Sequence, residues 1–231
     1  DDKKFVWSIE ATDGAWGPDG AFWISDWVDG WEPVGKGRIY RFYDTNTIHQ
    51  PIVKSTRELL ASDFGTKSDK ALLDLLAHPN FRVRQAAQFT LAERGESVSP
   101  KLIKVVRGNG DLHARLHSLW ALGQIQAAAH KPGRVAKSVE LDALVPLLGD
   151  KEAHIRANAA RVLGDAQYAP AHAGLVKLAS DEDAHVRALG TIALGKLGRR
   201  DSVPLLLDVL RANADQDPFI RHAAVQALVT I

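Results

Sequence analysis

The sequence predicts a mainly α-helical chain, a solenoid of about five stacked helix pairs preceded by a short antiparallel β segment. Three observations predict it. From residue 69 onward a two-part helical pattern recurs about every 31 residues, while aromatic residues crowd the first 43 positions. The bulk composition, 45% hydrophobic and 25% charged in 231 residues, is that of a chain able to bury a core. The expected division is a β segment over residues 1–43, a linker and capping helix over 44–68, and helical repeats over 69–231.

Ten of the 16 Phe, Trp and Tyr residues lie in the β segment, which separates it from the alanine- and leucine-rich remainder. Ala21-Phe22-Trp23-Ile24-Ser25 and Arg38-Ile39-Tyr40-Arg41-Phe42 read as strands, since aromatic and β-branched residues suit a pleated surface. Gly17-Pro18-Asp19-Gly20 reads as a turn: proline presets one dihedral and glycine accepts a positive φ. Two or three strands rarely stand alone in water, so this segment is expected to belong to a larger sheet.

The run Gly17–Trp27, followed by Gly35-Lys36-Gly37-Arg38-Ile39-Tyr40-Arg41, resembles the closing blade of a bacterial β-propeller. The similar family is the planctomycete-type membrane-bound dehydrogenases, whose propeller is like that of glucose/sorbosone dehydrogenases. The match covers roughly residues 11–43. This resemblance implies a parent that oxidises sugars or alcohols, is periplasmic or membrane-associated, and uses PQQ, Ca²⁺ and a c-type haem domain. Asp26, Asp29 and Glu32 beside Trp23, Trp27 and Trp31 are the candidates for local chemistry. The carboxylates are candidate Ca²⁺ ligands, and Asp26, Asp29 and Trp27 candidate contacts to a quinone cofactor. The simpler reading of the same group is a solvated loop with aromatics packed between blades.

Residues 44–68 join the two parts. Gln50-Pro51 interrupts local structure, Val53–Ala61 reads as a helix covering the end of the repeats, and Asp63–Asp69 as a turn.

The repeats alternate an aliphatic block with an arginine-bearing helix. The blocks are Leu72-Leu73-x-Leu75-Leu76, Leu102-Ile103-x-Val105-Val106, Leu144-Val145-x-Leu147-Leu148, Leu175-Val176-x-Leu178-Ala179 and Leu206-Leu207-x-Val209-Leu210. The arginines are Arg84, Arg115, Arg156, Arg187 and Arg221, each with a small residue three positions on and a leucine seven on, a single helical stripe. Their spacings are 31, 41, 31 and 34 residues, which places an insertion near Ala127–Glu140 around Lys131-Pro132-Gly133. Four residues before each arginine stands Asn80, Asp111, Glu152, Asp183 or Asp217, and all but glutamate are favoured helix N-caps.

A two-helix unit of this period is a HEAT-type repeat, and the Asp-then-Arg spacing with second helices ending in Leu-Gly is similar to HEAT-like repeats of the phycobilisome-lyase type. In such repeats Asp and Arg form a polar ladder between neighbouring inter-helix turns. The resemblance therefore implies structural roles for Asp150 with Arg156, Asp181 with Arg187 and Asp215 with Arg221. It implies a weaker ladder at Arg84 and Arg115, whose units carry His78 and Asn109 in place of Asp.

Other chemistry finds little support. The absence of cysteine excludes disulfides, thiolate metal sites and covalent haem attachment within these residues. His113, His154 and His185 share one repeat position, but stacked helices stand roughly 8–10 Å apart, too far for imidazoles to share one metal ion. Trp120 reads as core. A net charge of +1 provides no global field for nucleic acid or acidic lipid, and no apolar run is long enough to span a bilayer. Beginning at Asp1 without a methionine and ending in an apolar pattern, the sequence reads as part of a longer protein. The expected function is a non-catalytic scaffold or protein-interaction segment of a larger exported dehydrogenase-like protein, with no cofactor or catalytic residue of its own. Its expected partners are other domains of the parent or an electron-transfer protein. The alternative is part of a calcium- and quinone-dependent dehydrogenase unit passing electrons to a haem domain elsewhere; a lyase or chaperone acting on a chromophore is a third class, from the repeat resemblance alone.

Overall fold

The computed structural model describes residues 6–28, 35–129 and 139–231. Contacts divide the chain into two units, residues 1–63 and 64–231.

In the first unit β1 (Ala11–Trp16), β2 (Phe22–Asp26) and β3 (Arg38–Phe42) form an antiparallel sheet in that order. At the β1–β2 turn the Gly17 amide donates to the Ala21 carbonyl at 2.7 Å, and Gly20 takes a φ of 75°, which costs a glycine nothing. Pairing sets Phe22 between Trp16 and Phe42 on one face and Trp23 opposite Arg41 on the other. Asp19 organises that second face, accepting from Arg41 Nε at 2.8 Å and Trp23 Nε1 at 3.3 Å. The Arg41 guanidinium also lies 4.6 Å from the centre of the Tyr43 ring, a cation–π distance. α1 (Pro51–Ala61) groups with these strands and starts on proline, whose missing N–H is harmless in a first turn.

The second unit contains five pairs. α2 (Asp69–Leu75) precedes α3 (Phe81–Arg94), and α4 (Ser99–Arg107) precedes α5 (Leu112–Ala129). A 3-10 segment, Leu141–Gly149, precedes α6 (Ala153–Asp165). α7 (His172–Leu178) precedes α8 (Ala184–Leu197), and α9 (Val203–Asn213) precedes α10 (Pro218–Thr230). The third pair corrects the expectation of an α-helix at its aliphatic block. Pro146 lies in the middle of that segment, where it cannot donate to a carbonyl four residues back, and the chain winds more tightly instead. Leu144, Leu147 and Leu148 still reach the core. The insertion's Lys131-Pro132-Gly133 centre lies outside the described residues; Val139, just after it, is buried and donates its amide to Gln126 Oε1 at 3.1 Å.

Caps follow the sequence. Asn80 Oδ1 accepts from Arg82 and Val83 amides, Asp111 from Ala114, Asp183 from Val186, and Asp217 from Phe219 and Ile220. Glu152 makes no side-chain cap, because its extra methylene carries the carboxylate past the first-turn amides.

The second helices form a layer in which each packs on the next. Eight residues after the arginine stands Gly123, Gly164 or Gly195, facing the following helix. A Cβ on Gly164 would lie 2.7 Å from Ala193 Cβ, and one on Gly195 2.5 Å from Ala227 Cα, so α6, α8 and α10 approach almost backbone to backbone. Gly123 instead faces Val162, whose Cγ2 would stand 3.1 Å from such a Cβ, and α3 carries Ala92 at the equivalent position. Side-chain bulk therefore holds α3, α5 and α6 further apart than the later helices. Replacing Glu152 by Asp is expected to supply the missing cap and raise stability by roughly 0.5–1 kcal/mol, whereas Asp183→Ala should lower it by about 1 kcal/mol; thermal unfolding followed by far-ultraviolet circular dichroism measures both.

Candidate functional site: a groove over α5

Where the second helices stand apart, a groove of about 680 Å³ opens over α5. Phe81 and Phe89 of α3 line one side, Arg161 and Asp165 of α6 the other, and Trp120 and Gln124 rise from α5 between them. Phe81 and Phe89 are exposed, a cost in water that the interior of the fold does not require of them. Trp120, expected in the core, is instead half-buried: its ring packs edge-on against His117 at 4.8 Å, and its Nε1 donates to Asn158 Oδ1 of α6 at 2.8 Å.

A directional hydrogen-bond chain runs beneath the groove. Arg84 Nε lies 3.2 Å from His117 Nε2, and because guanidinium only donates, Nε2 must be the unprotonated nitrogen. Nδ1 therefore carries the hydrogen and donates to Gln88 Oε1 at 2.7 Å. Gln88 Nε2 in turn donates to Gln124 Oε1 at 3.1 Å, which leaves the NH₂ of the exposed Gln124 as the last donor of the chain. Burial, then the positive charge of Arg84 and the neighbouring His113, pulls the His117 pKa down to about 4. The imidazole is neutral at ordinary pH, as the chain demands.

Two rungs, Arg115 to Asp150 and Arg156 to Asp181, meet across units, which corrects the same-unit pairing drawn from sequence for Asp150 and Asp181 and the weaker rung implied at Arg115; Asp215 with Arg221 pairs within its unit as expected. Arg115, almost fully buried, reaches both oxygens of Asp150 in the next unit and donates from Nε to the Val106 carbonyl at 2.9 Å. Arg156 makes two 2.8 Å bonds to Asp181 in the unit after it, a bidentate fork. Towards its own turn Arg156 bonds only the backbone, the Asp150 carbonyl at 2.9 Å and the Lys151 carbonyl at 3.2 Å. Arg187 likewise bonds the carbonyls of Asp181 and Glu182, not a side-chain oxygen of Asp181. Asp215, with φ of 65°, holds Arg221 within its own unit, at 2.7 Å and in solvent. Six-residue spacing spans the turn and brings a guanidinium to the aspartate's carbonyl; the aspartate side chain turns outward to the preceding unit. Burial, the largest single influence, pushes the Asp150 carboxyl up, but the hydrogen bonds from Arg115 and the Glu152 amide and the charges of Arg115 and Lys151 together outweigh it, and the net shift is downward; the Arg156 hydrogen bond lowers Asp181.

The first rung is different. Asn109 stands where the later units have aspartate, and Arg84, with Nη1 on the His78 and Pro79 carbonyls at 2.7 and 2.8 Å, turns its Nε to His117 instead. Among the described residues no carboxylate pairs with Arg84. Arg84 lines the groove.

The candidates in the first unit are differently placed. Asp26 is buried, and its Oδ1 accepts from the amides of Glu10 at 2.9 Å and Val28 at 3.0 Å, clasping the strand end. That oxygen is thereby spent on backbone, a poor fit to a calcium ligand. Trp27 is exposed, while Asp29 and Glu32 lie outside the described residues. Among the described residues no three acidic or histidine side chains converge for a metal ion, and no helix is long and apolar enough to cross a membrane.

Comparison with known proteins places the helical unit. Residues 141–229 match the family model for HEAT repeats. A chain from the complex of CpcE and CpcF of phycocyanin lyase from Nostoc sp. PCC7120 is similar in structure, with a TM-score of 0.56 and 21% sequence identity over 69% of this chain and 97% of that one. No curated protein matches the sequence. In fold the helical unit is a HEAT-type solenoid of stacked helix pairs.

Protonation of His117 gives a pH signature. Its folded pKa is depressed, so the unfolded chain binds the proton more readily, and stability falls as pH drops from about 6.5 towards 4. His78, also lowered mainly by burial, acts in the same direction, whereas the depressed aspartates contribute only below about pH 4. Urea unfolding is expected to show a loss of about 2 kcal/mol between pH 7 and pH 5, most of it absent in His117→Asn.

Proposed function

We propose that the chain is a non-catalytic interaction module, its repeats holding a segment of a partner protein in the groove over α5. The carrying observation is that the second-helix layer, closed by glycine–alanine contacts from α6 onward, is open at α3, α5 and α6 and sets Phe81, Phe89 and Trp120 around an oriented polar chain. Exposed aromatics beside a fixed hydrogen-bonding surface suit binding energetics, in which a few aromatic and arginine anchors dominate.

A catalytic reading has less support. His172 Nε2 lies 2.9 Å from Ser202 Oγ, but Ser202 is buried, so the pair ties the start of α7 to the start of α9 rather than presenting a nucleophile. The sheet of residues 11–43 and its glycine-turn-aromatic run support placing the module within a larger exported, dehydrogenase-like protein, periplasmic or membrane-associated. In that reading PQQ, Ca²⁺ and haem c belong to other parts of the parent. The partner is another domain of that parent or an electron-transfer protein.

Selection of a random peptide library on the immobilised chain tests the interaction. Recovered peptides are expected to lose roughly tenfold or more in affinity for Trp120→Ala, about 1.4 kcal/mol. Failure to enrich any binder, or binders indifferent to Trp120, contradicts the reading.

A further inference from the structure

The groove presents donors. Arg84 fixes the direction of the chain beneath it, and every link passes its hydrogen forward to the exposed Gln124, whose NH₂ is the last donor. Arg161 adds a largely exposed guanidinium on the opposite wall. The carboxylate that lines the groove, Asp165, is already held by Lys196 and, at 4.0 Å, by Arg161. Arg84 itself is a ladder arginine whose aspartate is replaced by Asn109, so its charge lacks the anion that Arg115 and Arg156 each possess.

We propose that the groove docks an acidic linear segment of a partner protein, one carboxylate of which completes the rung that Arg84 lacks while an apolar side chain rests on Trp120. This rests on the interaction-module reading and gives its partner a chemistry. Paired guanidinium and amide donors match a carboxylate, and the charge-assisted bonds formed are stronger than those to a neutral amide. The attraction is partly screened by salt.

Three fluorescent ten-residue probes, each carrying one phenylalanine in a background of glutamate, glutamine or lysine, test it by anisotropy with the whole chain. The glutamate probe is expected to bind about tenfold or more tightly than the glutamine probe and to weaken as salt rises. Arg161→Glu should weaken it by roughly tenfold, and Arg199→Glu, at an exposed arginine paired with Asp201, should not. Asn109→Asp offers the most specific readout, since it supplies the missing carboxylate from within: thermal stability should hold or rise while affinity for the glutamate probe falls. Equal binding of the glutamate and glutamine probes, or unchanged affinity in both Arg161→Glu and Asn109→Asp, overturns the proposal. If the glutamine probe binds equally and Trp120→Ala abolishes it, the acidic partner is refuted and the interaction module stands. If no probe binds, the acidic partner is refuted, and the library selection alone decides the module.

Discussion

The helical unit depends on a guanidinium reaching out of one repeat into the next. A helix pair cannot shelter its own apolar face, so a solenoid exists only through contacts between neighbours. Hydrophobic packing supplies most of that adhesion, yet it is tolerant of sliding. The forks from Arg115 to Asp150 and from Arg156 to Asp181 are not, because each oxygen must meet its own N–H. The same arginine also bonds backbone in its own unit: Arg115 the Val106 carbonyl, Arg156 the carbonyls of the turn it crosses. One side chain thus fixes a turn and docks the following unit onto it. Taking away one member leaves the other charge stranded in a poorly solvated place, which typically costs about 3–5 kcal/mol.

The groove arises where the close helix approach lapses; of the two junctions it spans, the rung lapses as well between α3 and α5 and stays whole between α5 and α6. At the first rung asparagine replaces aspartate, and Arg84 turns to a neutral histidine. At the same end of the stack the glycine–alanine approach gives way to Ala92 and to Gly123 against Val162. The wider spacing leaves Trp120 half-covered and Phe89 exposed, and the unpaired arginine sets the polarity of the hydrogen bonds below them. A region that is less well closed as a fold is thereby better equipped as a surface. Burial of His117 follows from the same arrangement: an imidazole wedged between Arg84 and Gln88 has room for one proton, and for that on one nitrogen.

Much of this was legible in the sequence, and the exceptions have physical causes. Helical periodicity located nine of the ten repeat helices, because aliphatic spacing and N-cap chemistry act over a single turn; Asn80, Asp183 and Asp217 cap as their residue types dictate. Pro146 was visible as a residue but not as a change of winding, since the aliphatic pattern around it serves either helix. β1 is not legible as a strand of its own because Ala11–Trp16 has no alternation and no buried residue; only its pairing with β2 defines it. The ladder residues were recognisable from their spacing, but spacing within a unit cannot show that Asp181 points backward to Arg156. The groove was invisible for the same reason. It depends on which side chain stands opposite Gly123 in a helix some forty residues on, and Trp120 differs from a core tryptophan only through that neighbour.

A double-mutant cycle on Arg156 and Asp181, set beside one on Arg187 and Asp181, tests the inter-unit rung most directly. With unfolding free energies measured by urea denaturation at pH 7, Arg156→Ala and Asp181→Ala are expected to couple by roughly 1.5–3 kcal/mol, and Arg187→Ala with Asp181→Ala by less than about 1 kcal/mol. Coupling that is larger within the unit than across it, or absent from both pairs, would contradict the account.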